Sequence, residues 1–199
     1  KKWNYRIQHR NLYGHEMTHY DADRDGLDEV YISLNGKFIV LNGDGTLRWS
    51  DDTVRNHTDF ILCGDVDGDG ELEIVYDRNG CDALKGPIAC VDGRTGKPEK
   101  LWNYRRPGMD HLQRATLGDF DPSRPGLELV AVGKRQIRGG LVLWSAEENH
   151  LWHKDIPAGW VTWGDWNGDR NPEILLSGGI GGQNGFEVWT GSGERLYAL

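Results

Sequence analysis

This 199-residue chain lacks most of the signals by which a sequence declares its class. No segment approaches the roughly 18 consecutive apolar residues of a membrane-spanning helix, and the first residues do not make a signal peptide. No stretch holds apolar residues at a sustained helical spacing between caps, which leaves almost no room for helix. Apolar residues supply only 37% of the chain while glycine reaches 28 residues, the balance expected of short strands joined by tight turns. Cysteine is scarce and odd in number: Cys63, Cys81 and Cys90. Cys63 lies in an apolar run as a small core residue, whereas Cys81 and Cys90 flank a loop and either bridge in an oxidising compartment or stay reduced.

What the chain does have is a repeated carboxylate loop. It reads Asp21-Ala-Asp23-Arg-Asp25-Gly-Leu-Asp-Glu29, then Asp65-Val-Asp67-Gly-Asp69-Gly-Glu-Leu-Glu73, then Asp165-Trp-Asn167-Gly-Asp169-Arg-Asn-Pro-Glu173. A degenerate copy runs from Asp119 to Glu128, with Pro122, Ser123 and Pro125 inside it. The first Asp falls at positions 21, 65, 119 and 165, in steps of 44, 54 and 46 residues. A second marker keeps the same phase: Trp3, Trp49, Trp102, Trp152 and Tyr197. Periods of about 40–50 residues made only of short strands are the signature of β-propeller blades.

In the second unit the pattern predicts strands over 58–64, 72–77, 87–92 and 101–104, with a turn at Asp92–Gly96. The other units repeat the last hairpin as 39–49, 141–152 and 186–197. The expected fold is therefore all-β, an arc of about four four-stranded blades within one repeat domain. The blades are expected at residues 7–50, 51–105, 106–154 and 155–199. Lys2-Trp3-Asn4-Tyr5-Arg6 matches Leu101-Trp102-Asn103-Tyr104-Arg105, so residues 1–6 read as the outer strand of a preceding blade. The arc is expected to belong to a larger ring, completed by the remainder of a longer chain or by further copies.

So many carboxylates within nine residues repel one another unless a hard cation holds them, and oxygen ligands at alternate positions suit calcium. The expected ligands are Asp21, Asp23, Asp25, the Leu27 carbonyl and Glu29. In the second loop they are Asp65, Asp67, Asp69, the Glu71 carbonyl and Glu73, and in the last Asp165, Asn167, Asp169, the Asn171 carbonyl and Glu173. An EF-hand would instead need a bidentate Glu at loop position 12 between two helices. The competing reading is that Asp, Asn and Gly merely make turns. The Asp119 copy is expected to be metal-free and held by its prolines. Sites of this kind fill most readily at extracellular calcium levels, which points to a secreted protein.

The net charge of −8 implies a surface that repels nucleic acid. Much of that charge sits in the loops, and the loops leading into the first strands have the opposite character. They carry Arg55 and His57, then Arg105, Arg106 and His111, while the loops between second and third strands add Arg78, Lys85, Lys134, Arg135 and Arg138. His57 and His111 stand in the same register, and an exposed Trp160 offers a stacking surface. Such a face suits an anionic ligand; the plainer alternative is that loop cations are simply solvated.

The strings Gly64–Ile74 and Gly118–Glu128 resemble the bacterial rhamnogalacturonan lyases that carry a calcium-rich eight-bladed propeller. The first string is also shared with other calcium propellers and FG-GAP or integrin-type repeats. The resemblance implies a secreted, calcium-stabilised module that binds acidic polysaccharide and cleaves it by β-elimination. It assigns His57 and His111 to the catalytic cleft as base candidates, with Arg55 and Arg105 as partners of the substrate carboxylate. Thr116 stands where that family tends to carry a further His, and Gly159-Trp160 where it tends to carry an Arg. The alternative is a non-catalytic calcium propeller serving structure, adhesion or self-assembly.

Overall fold

A computed structural model describes residues 5, 14–55, 57–78, 88–102, 112–133, 140–147, 149–156, 159–179 and 183–199. These residues form strands and turns without helix. The first sheet is β1 (Gly14–Tyr20), β2 (Glu29–Leu34), β3 (Lys37–Leu41) and β4 (Leu47–Asp51); the second is β5 (Ile61–Gly64), β6 (Glu73–Asp77), β7 (Ile88–Asp92) and β8 (Pro98–Trp102). The third is β9 (Leu112–Gly118), β10 (Glu128–Gly133), β11 (Leu141–Trp144) and β12 (His150–Lys154). The fourth is β13 (Trp160–Gly164), β14 (Glu173–Gly179), β15 (Gln183–Trp189) and β16 (Arg195–Ala198). Each sheet is an antiparallel meander in chain order. First strands of successive sheets approach one another, β1 to β5, β5 to β9 and β9 to β13, so they are the innermost. This is the blade arrangement of a β-propeller.

Burial on both faces explains the residues of the middle strands. In β6, Ile74 and Tyr76 pack with the first sheet while Val75 packs with the third. In β10, Leu129 and Ala131 face the second sheet while Val130 and Val132 face the fourth. A strand covered on both sides has no need of polar alternation, so it reads as a continuous apolar run. The outer strand β16, by contrast, is exposed along its whole length. Tyr5 packs on the other face of the first sheet, against Leu34, Ile39 and Leu41.

The recurring tryptophan ties each sheet to the next. The Trp49 indole N–H donates to the Gly93 carbonyl (3.3 Å), that of Trp102 to Ser145 (2.9 Å) and that of Trp152 to Gly191 (2.7 Å). Each acceptor lies in the hairpin turn between third and fourth strands of the following sheet. Gly96 lets the ring in: a Cβ there would meet Trp49 at 2.5 Å, and its φ of 70° is one that glycine adopts without cost. Trp3, the first member of the series, lies outside the described residues.

Two expected boundaries move for local reasons. The first strand of the second sheet starts at Ile61, because side chains claim the preceding amides: Thr58 N–H donates to Ser33 Oγ and Asp59 N–H to Asp77 Oδ1. The fourth strand starts at Pro98, because the turn closes early, with Asp92 N–H donating to the Lys97 carbonyl. Cys63 and Cys90 are free thiols, and Cys81, the other half of the bridge weighed from the sequence, lies outside the described residues. Burial pushes the Cys63 thiol up to about 12.

The indole bond between sheets predicts an asymmetry between equivalent residues. Trp102 is fully buried, whereas Tyr197 is 41% exposed. Trp102→Ala should cost about 3–5 kcal/mol in chemical denaturation, and Tyr197→Ala less than ~1 kcal/mol. Equal losses would remove the indole's proposed role.

Candidate functional site

The acidic loops follow β1, β5, β9 and β13, all at one end of the innermost strands. Each is closed by the glutamate that opens the next strand. Glu29, Glu73 and Glu173 accept from the amides of Ala22 (3.2 Å), Val66 (2.6 Å) and Trp166 (2.7 Å). Glu128 does the same for Phe120 (2.8 Å) and Asp121 (3.0 Å). All four glutamates are buried. In the loops starting at Asp21, Asp65 and Asp165, positions four and six are left-handed: Arg24 and Gly26, Gly68 and Gly70, Gly168 and Arg170. The two arginines hold a conformation that glycine adopts freely, at a cost of about 1–2 kcal/mol each.

The donor set fits a hard cation. Asp65, Asp67 and Glu73 bring one carboxylate oxygen apiece within 4.8 Å of one another, as do Asp21, Asp23 and Glu29. Burial pushes the Glu73 carboxyl up to about 7, so the loop without an ion holds a charge that it cannot solvate. Asp21 Oδ1 is buried with no hydrogen-bond partner. Asp69 and Asp25 also brace their own loops, each accepting from an amide two residues on, Glu71 and Leu27, at 2.8 Å. In the last loop Asp165 accepts from Gly168 (2.7 Å), and Asn167 donates to Asp169 (3.0 Å) and Glu173 (3.1 Å).

The Asp119 copy is organised differently. Asp121 accepts from Ser123 Oγ (2.5 Å) and Arg124 Nε (2.9 Å), and the serine bond is the main reason its carboxyl lies below the usual range. The side chains of Ser123 and Arg124, beyond the prolines that the sequence pointed to, hold Asp121 in this loop.

At the opposite end of the innermost strands, roughly six extended residues or about 20 Å away, a second cluster forms. His15 of β1 and His57 stack with ring centroids 4.2 Å apart. The buried Asp59 carboxylate lies 3.7 Å from His15 Nδ1 and 3.4 Å from His57 Nε2. The Arg114 guanidinium on β9 donates to the Asp59 carbonyl (2.6 Å) and sits 4.5 Å over the Trp160 ring at the head of β13. Trp160 is 58% exposed. One neighbourhood thus draws on three innermost strands and the loop that enters the other, with two imidazoles, one guanidinium and one open aromatic face.

Of the residues expected on this face, His57 joins the cluster and Arg55 is exposed. Arg78 is already engaged: its Nε and Nη2 both reach Asp51 Oδ2, at 2.9 and 2.8 Å, so it serves the contact between first and second sheets. His111, Arg105, Arg106, Lys85, Lys134, Arg135 and Arg138 lie outside the described residues. Sequence reading missed His15, Asp59 and Arg114. Register would have found them, since each stands five or six residues before the first Asp of its loop.

No protein-family model and no curated protein matches the chain. Among solved structures it is similar to a Bacillus licheniformis rhamnogalacturonan lyase at 18% identity and TM-score 0.66, covering 92% of this chain and 42% of that one. It is similar to the rhamnogalacturonan lyase YesW at 17% identity and TM-score 0.65, with coverage of 92% and 42%. A propeller from Dos1 matches at 11% identity and TM-score 0.68, with coverage of 94% and 47%. The fold is a β-propeller. The chain spans under half the length of these neighbours, and identities this low carry the fold alone.

The four glutamates yield a test. Burial holds Glu128 above its ordinary range. A raised carboxyl contributes stability below its unfolded value, and that contribution is lost as pH rises through the folded value. Glu128→Gln keeps an acceptor for both amides without the charge. The variant should therefore be more stable than the parent at pH 7, with the gap closing toward pH 4 in denaturant melts. A gap that widens toward acid would show that Glu128 is held by a cation.

Proposed function

We propose that this chain is a calcium-stabilised, secreted β-propeller module that binds acidic polysaccharide at the His15–His57–Arg114–Trp160 cluster and cleaves it by β-elimination. The observation that carries the reading is the shared attachment to Asp59. One residue holds a candidate base, His57, through its carboxylate and a candidate carboxylate receptor, Arg114, through its carbonyl. Arg114 would pair with the C6 carboxylate of a uronic acid while Trp160 stacks on an adjoining sugar ring. That pairing draws electron density from C5 and makes its proton more acidic.

His57 would take the C5 proton, with the Asp59 carboxylate stabilising the imidazolium that forms. The C5 electron pair becomes the C4–C5 double bond, the C4–O bond breaks, and the leaving oxygen takes a proton from solvent or from His15. Arg55, Arg105 and His111 are further candidates for carboxylate pairing and proton transfer. The calcium loops, held by Asp21, Asp23, Asp25, Leu27 and Glu29, by Asp65, Asp67, Asp69, Glu71 and Glu73, and by Asp165, Asn167, Asp169, Asn171 and Glu173, would serve stability at the far end of the strands. Calcium would supply charge neutralisation there. A second reading, a non-catalytic assembly module, is favoured by the exposed aromatic face where Trp166 lies 5.6 Å from Phe186 and 6.0 Å from Tyr197.

Two measurements test the proposal. Oligogalacturonides and rhamnogalacturonan fragments should bind more tightly than neutral oligosaccharides, and more weakly as salt rises, since exposed charges are screened over about 8 Å at physiological ionic strength. Arg114→Ala and Trp160→Ala should each weaken binding, and turnover should yield an ultraviolet-absorbing unsaturated product that His57→Ala abolishes. Absence of binding to every uronate polymer leaves the assembly reading. For the metal, a chelator should lower the melting temperature of calcium-loaded protein, and Asp67→Ala should remove one bound ion.

A further inference from the structure

Resting on the calcium reading, we propose that Arg48 is a built-in counter-cation that competes with calcium for the first loop, making it the weakest of the three calcium sites. The residue before each marker aromatic is Leu101, Leu151 and Leu196 in the other three sheets, but Arg48 in the first. Its guanidinium enters the loop: Nη2 donates to Asp23 Oδ2, and Nη1 lies 3.3 Å from Glu29 Oε2. The head group is oriented from behind, because Nε donates to Asn42 Oδ1 at 2.7 Å and Asn42 Nδ2 donates to Thr46 Oγ1 at 2.8 Å. Arg48 and Asp23 are both largely buried, with side-chain exposures of 16% and 12%.

Calcium in this loop would need Asp23 and Glu29 together with Asp21, and the guanidinium already donates to the first and lies 3.3 Å from the second. The two cations are mutually exclusive, and calcium affinity follows the number of charged ligands left to it. Asp21 Oδ1 is buried and without a hydrogen-bond partner, so Arg48 does not answer every carboxylate oxygen of the loop. The second loop has a lesser version, Lys100 Nζ at 3.4 Å from Asp67. In the Asp119 copy Arg124 pairs with Asp121 at 2.9 Å on the surface, so an arginine meets a loop carboxylate there as well.

The test uses the full chain and calcium alone as probe. Calorimetric titration of calcium-stripped protein should resolve a weak site beside tighter ones. Arg48→Leu, the residue at the equivalent place in the other sheets, should tighten that weak site about tenfold to a hundredfold, the worth of one or two lost charge-assisted bonds. Its melting temperature should fall below that of the parent in chelator and match or exceed it in saturating calcium; a merely structural arginine would lower both. Arg48→Gln, which keeps the length without the charge, should behave likewise if the leucine variant does not fold without calcium. An unchanged titration, or equal destabilisation with and without calcium, overturns the inference while the calcium reading stands. Absence of calcium binding at every loop of parent and variant overturns both.

Discussion

The interaction on which the rest depends is the buried glutamate that opens each second strand and accepts from the amide at the second position of the preceding loop. It recurs at Glu29, Glu73, Glu128 and Glu173. A chain leaving an innermost strand must reverse within about eight residues to pair antiparallel with itself. The glutamate fixes that reversal from inside and satisfies an amide that would otherwise be buried without a partner. Its cost is a carboxylate in a dry place. The carboxylates gathered above it add to that charge, and in the first loop Arg48 lies 3.3 Å from the glutamate.

The repeat is therefore uniform in backbone and varied in charge. Left-handed residues at loop positions four and six, and the aspartate that accepts from the amide two residues on, set the same loop shape in three of four copies. What differs is how the charge is met. The second loop has Lys100 near Asp67, and the last lightens its charge with Asn167. The first brings in Arg48 and the Asp119 copy Arg124. Loop geometry and the pairing of loop charge are thus separable properties of this fold.

The two ends of the innermost strands do different work, because a strand of four to seven residues keeps its ends apart while a radial arrangement brings equivalent ends of neighbouring strands together. At one end this gives four separate loops, one per sheet. At the other it gives one shared cluster, where His15, His57, Asp59, Arg114 and Trp160 from four sheets meet. Chemistry that needs several groups at once belongs at the second end.

Much of the fold was legible in the residues themselves. The period of the aspartates and tryptophans, the turn glycines and the absence of helical spacing specify a run of four-stranded meanders, since these are local properties of pairing between consecutive strands. The boundaries at Ile61 and Pro98 were not legible, because side chains from neighbouring strands and a closing turn compete for the amides there. The ligand-rich loops were readable for the same reason as the strands: their donors lie within nine residues. The cluster was only half readable. His57 and Trp160 stood out, but His15, Asp59 and Arg114 acquire meaning through contacts across 42 to 55 residues of sequence, and Arg78, a loop cation on paper, is spent on Asp51. Sequence alone determines what each repeat is, because its bonds are local. Which repeats share a site is decided only when the sheets pack side by side, because its members are bonded across sheets and not within one.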